Sequence, residues 1–134
     1  MENYDRNIIQ LCFFILKNQL SPYVENELVN FYGIDWINRL RTDPLVDRLL
    51  VDEIYDEKLF YKNADIRNVL LVYSHQWERL FKKYCNNDYP LHLCEVIQHY
   101  FRQYAYEYKF NYRDTYKIIE MIQTFMEELN FNVN

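Results

Sequence analysis

A single glycine, Gly33, is the strongest constraint on what this 134-residue chain can fold into. Sandwiches and barrels need a turn about every 8–12 residues, most of them built on glycine or Asn-Gly. One glycine cannot supply those turns. It cannot build a phosphate-cradling P-loop or a dinucleotide-binding fingerprint either, since both need several. With three prolines and half of its residues hydrophobic, the chain reads as one all-α domain with a substantial core.

The apolar periodicity supports this. Ile9, Cys12, Phe13, Leu16, Leu20, Val24, Leu28 and Phe31 recur at helical spacing and stop at Gly33, a good C-terminal cap. Ser21-Pro22 interrupts the stripe and predicts either a kink or a fresh start with Ser21 as N-cap. A short helix is expected from Trp36 to Arg41, ended by Asp43-Pro44. Leu45 to Tyr61 is ambiguous, with one or two loose helical turns expected. Asn63 can cap a helix whose stripe runs Ile66, Val69, Leu70, Tyr73, Trp77, Leu80 and Phe81, before Asn86-Asn87-Asp88. Pro90 starts the next, with Leu93, Ile97, Tyr100, Phe101, Tyr104 and Tyr108 inward. Asn111 caps the last, which buries Ile118, Ile119, Ile122, Phe125, Met126 and Leu129. The expected architecture over residues 1–134 is an antiparallel bundle of four main helices plus a short one.

Charge is unevenly spread. Asp43, Asp47, Asp52, Glu53, Asp56 and Glu57, against Arg48 alone, give one segment a charge equal to the −5 of the whole chain. That balance disfavours strong non-specific binding to nucleic acid or anionic membranes, yet the near-neutral remainder leaves room for a basic patch. Six carboxylates in fifteen residues repel one another, so this stretch is expected to be the least ordered unless a basic partner binds. Cys12, Cys85 and Cys94 have no framework spacing and read as reduced thiols of a cytoplasmic protein. The acidic, polar N-terminus is unlike a targeting peptide. No apolar run approaches the ~20 residues of a membrane span.

Candidate chemistry is sparse. Cys85, His92, Cys94 and His99 lack metal-ligand spacing, since His92 and Cys94 point to different faces of one helix. No metal and no cofactor is expected. Cys94 and His99 are five apart on one helix, and Cys12 lies in an apolar run, so no cysteine reads as a nucleophile. Trp36 and Trp77 belong to apolar stripes and are expected to fill the core. Arg67, Arg79, Lys82 and Lys83 form one basic group and Arg102, Lys109, Arg113 and Lys117 another, most simply as solvated faces.

Several fragments in order resemble the HEPN superfamily, helical bundles that include many ribonucleases of defence and RNA-processing systems. They are Leu20, Pro22, Tyr23, Val24, Glu25 and Leu28, then Tyr32, Gly33 and Trp36; Asp65, Ile66, Val69 and Leu70 leading to Trp77, Leu80 and Phe81; and Phe110, Asp114, Thr115 and Tyr116. The resemblance covers about residues 8 to 130. It implies a catalytic Arg-x(4–6)-His motif in the helix before Phe110. Counting back, Ala105 meets the motif alanine, Phe101 its arginine, Arg102 its asparagine and Tyr106 its histidine. Both catalytic residues are missing. A tyrosine with pKa near 10 is a poor proton carrier beside a histidine near 6.5, and phenylalanine cannot contact phosphate.

The expected function is therefore a catalytically inactive HEPN-like module that binds: itself as a homodimer, a protein partner encoded nearby, or RNA without cleavage. Gln98, Arg102 and Tyr106 lie on a stripe distinct from the core stripe, and with Tyr112 they form the expected interface. One alternative is a metal-independent endoribonuclease with a relocated pair, His99 with Arg102 first and His75 with Arg79 second. Another is an acidic inhibitor that presents Asp43 to Glu57 to the basic groove of a nucleic-acid enzyme.

Overall fold

The computed structural model describes residues 2–44, 66–105 and 112–130, with side chains from 6 onward except that of Ala105. Among them every regular element is helical: α1 (Glu2–Tyr32), α2 (Trp36–Leu40), α3 (Ile66–His75), α4 (Tyr89–Ala105) and α5 (Tyr112–Glu128). A wide π-turn over Trp77–Phe81 and a 3₁₀ turn over Lys82–Tyr84 follow α3. The long helices close a ring. Helix α1 packs on α3 and α5, and α4 packs on the same two.

The core follows the apolar stripes. Ile9, Phe13, Leu16, Leu20, Val24 and Leu28 of α1 are buried with Trp36, Tyr73, Trp77, Phe81, Ile97 and Phe125. Tyr73 is its aromatic hub, stacked on Phe81 at 4.4 Å and meeting the edge of Phe125 at 5.4 Å. Its hydroxyl is buried without a hydrogen-bond partner among the described residues.

Some expectations need correction. Ser21-Pro22 does not split the first helix; α1 runs through it, with Pro22 on the outer side and Ser21 buried. Phe31 is exposed rather than core, because the stripe has rotated outward by the last turn of α1. Cys12, Tyr100, Phe101, Tyr104, Ile119 and Leu129 are half-buried. The third helix stops at His75, where the backbone widens. The N–H of Lys82 reaches the carbonyl of Trp77, five residues back, and this carries Trp77, Leu80 and Phe81 into the core together. Gly33 caps α1 at φ +87°, a left-handed geometry that glycine adopts without steric cost. Asn63, Tyr108, Phe110 and Asn111 lie outside the described residues.

Candidate functional site

The end of α1, all of α2 and the junction of α3 with the π-turn enclose a cleft of about 470 Å³, lined by Tyr32, Arg39, Leu40, Thr42, Asp43, His75, Gln76, Glu78 and Arg79. Each element contributes for a local reason. Gly33 turns the chain after Tyr32, and Trp36, Ile37 and Leu40 bury one face of α2, which leaves Arg39 outward. The change from α- to π-geometry after His75 turns Gln76 inward and leaves Glu78 and Arg79 exposed.

A directed chain of hydrogen bonds crosses the cleft. Arg79 donates to the Tyr32 hydroxyl at 3.3 Å, and Tyr32 donates to Gln76 Oε1 at 2.7 Å. The Gln76 amide donates to His75 Nδ1 at 2.8 Å, and His75 Nε2 donates to Asp43 Oδ2 at 3.0 Å. The chain runs from a guanidinium to a carboxylate and fixes the imidazole tautomer on the way. Both ring nitrogens of His75 are engaged by protein groups. Neither is left to take a proton from a substrate, and that argues against His75 as a general base in this arrangement.

The fold brings together one of the pairs singled out from helical spacing, but in an unexpected way. His75 and Arg79 share the cleft but are joined through Gln76 and Tyr32 rather than to each other. Asp43, read as part of an acidic segment, instead anchors His75. Asp47, Asp52, Glu53, Asp56 and Glu57 lie outside the described residues. Sequence reasoning missed Tyr32, Arg39, Thr42 and Gln76 as site residues. The signal for two of them was the Tyr32-Gly33-x-x-Trp36 turn leading into a short helix, which brings Tyr32 and Arg39 to the lining of one cleft.

The region of the motif is built differently. Phe101 packs edge-on against Phe13 at 5.1 Å, and Arg6 lies over the Tyr104 ring at 4.2 Å while donating to its carbonyl. The position expected to hold the motif arginine is thus part of an aromatic cluster. Arg102 and His99 are exposed, and His99 Nε2 is 3.2 Å from the Gln103 amide. Gln98 donates to Ser74 of α3 and to Cys94 Sγ one turn back on α4, so its amide is engaged within the domain. Tyr112 is exposed, and Tyr106 lies outside the described residues.

The thiols do not converge. Cys94 is buried, donates to the Leu70 carbonyl at 3.4 Å, and burial pushes its pKa up. Burial also raises Cys12 and Cys85. Among the described residues no group of three or more His, Cys, Asp or Glu is placed to hold a metal, and no helix is long and apolar enough to cross a membrane.

No curated protein and no solved structure matches the chain. One family model does, over residues 12–130, and its description is Swt1-like HEPN. That span contains the core stripes of the described helices from Phe13 onward, the cleft and the Phe101 cluster. A match over so much of the chain, on an all-α bundle, makes this protein a member of the Swt1-like HEPN family.

Proposed function

We propose that this HEPN domain works by binding, chiefly by self-association, and does not cleave RNA. The observation that carries the binding half is an apolar stripe on the outer side of α1. Leu11, Phe14 and Ile15 are exposed at 57%, 60% and 39%, while Ile9, Phe13, Leu16 and Leu20 on the opposite side fill the core. A helix apolar on both sides has one face to spare, and such patches on small proteins mark interaction surfaces. One aromatic and two aliphatic side chains together have the apolar composition of an interface centre.

Two-fold pairing brings one such patch against its own copy without needing a second complementary surface. Light scattering at tens of micromolar is expected to report twice the 16.8 kDa monomer mass. Phe14→Glu should return it to monomer by placing an unpaired charge in the contact. A monomer mass for the unmodified protein rejects the reading.

A further inference from the structure

The polar groups of the cleft are largely paired with one another, and the donors it has to spare are guanidinium N–H groups. Asp43 accepts from His75, His75 Nδ1 from Gln76, Gln76 Oε1 from Tyr32, and the Tyr32 oxygen from Arg79. Glu78 is paired with Lys82 at 3.4 Å. The Thr42 hydroxyl is committed to the Arg39 carbonyl at 2.6 Å. What remains is guanidinium. Arg79 spends one of its five N–H groups on Tyr32, and Arg39 has no ion pair among the described residues.

The charges follow the same pattern. Glu78 pairs with Lys82 and Asp43 accepts from His75, whereas among the described residues neither of the two arginines lining the cavity is paired with a carboxylate. A ligand that satisfies them must be rich in acceptors and negatively charged. Guanidinium forks meet carboxylate and phosphate oxygens two at a time, so two of them suit a dianion. A cavity of about 470 Å³ is the size that takes a small organic molecule rather than a lone ion. Its floor is pre-organised, because Gln76 is buried at 4% exposure and held from both ends.

We propose that this cleft binds a small organic dianion, a dicarboxylate or a phosphate monoester, through Arg39 and Arg79. The site stands apart from the degenerate motif. The cleft uses Tyr32 of α1 and the Phe101 cluster uses Phe13, about 28 Å away along the axis at 1.5 Å per residue. It is also independent of self-association, so it survives if the protein proves monomeric.

The test is a titration of the full chain with succinate, glycerol 2-phosphate and sodium chloride at matched ionic strength. It is followed by backbone amide shifts and by the fluorescence of Trp36 and Trp77. At least one dianion is expected to give saturable shifts centred on residues 32–43 and 75–79, and the tighter of the two identifies the source of the oxyanion. Arg39→Gln and Arg79→Gln should each weaken it by about 10-fold or more, the effect of losing a charged hydrogen-bonding group. Lys83→Gln removes a nearby positive charge outside the cleft and should change affinity by less than about 2-fold. No saturable response to either dianion at about 10 mM, enough to fill a millimolar site, overturns the proposal. So does binding that is indifferent to both arginine changes, or equally sensitive to Lys83→Gln.

Discussion

Phe101 shows how far a single side chain can move a position from chemistry to packing. Where the family resemblance puts an arginine, this chain has a ring set edge-on against Phe13. The loss was legible in the sequence; the use to which the ring is put was not, because only the fold brings α1 and α4 together there. His75 is the reverse case. Its nearness to Arg79 was readable from i, i+4 spacing, but the partners that occupy its two nitrogens come from residues 43 and 76. The thiols give a residue-scale prediction. Burial holds all three in the protonated, unreactive form, most completely at Cys94. In native protein a thiol reagent should modify Cys12 and Cys85 slowly, and Cys94 only after unfolding, as followed by mass spectrometry. Fast native labelling of Cys94 contradicts that. Tyr73 gives another. Its hydroxyl is buried without a partner among the described residues, so Tyr73→Phe is expected to leave stability unchanged or raise it by about 1 kcal/mol. Tyr73→Ala should cost about 3–5 kcal/mol by emptying the hub between Phe81 and Phe125. Denaturant melts of both variants separate the two effects.

At the scale of elements, periodicity located every described helix and missed the changes of geometry within them. The α3 stripe was visible because Ile66, Val69, Leu70 and Tyr73 keep the α-period. The π-turn was not, since inserting one residue in a turn leaves Trp77, Leu80 and Phe81 at spacings that α-geometry also allows. Pro22 misled for a similar reason: local rules favour a break, but Leu20, Val24 and Leu28 bury on one continuous face and outweigh the missing hydrogen bond. Gly33 was legible because only a left-handed residue ends α1 there. Space is not the obstacle at that position, as an added Cβ meets nothing within 4 Å. Gly33→Ala is therefore expected to cost about 1–2 kcal/mol from backbone strain alone. A change of under half that value in a chemical melt shows that the turn relaxes into another conformation.

For the whole molecule, the buried phenols and thiols set a limit on alkaline stability. Burial raises Tyr73 and Tyr23 above the ordinary value of 10.0, and Cys94, Cys12 and Cys85 above 9.0. The folded state keeps these groups protonated while the unfolded chain ionises. Their contribution is fully present below about pH 9 and is lost as pH rises above it, by up to about 1.4 kcal/mol per pH unit for a fully buried thiol such as Cys94. Melting temperature measured from pH 7 to 11 should hold steady and then fall from about pH 9; a rise across that range contradicts the buried, protonated core. The proposal that this HEPN domain binds rather than cuts rests on Phe101 in a packing role and on both His75 nitrogens being held by protein groups. Cleavage can be measured directly. End-labelled RNA incubated with the purified protein and a chelator should remain full length. Metal-independent cleavage that disappears in His99→Ala or in His75→Ala would contradict the binding role and return the protein to the ribonucleases.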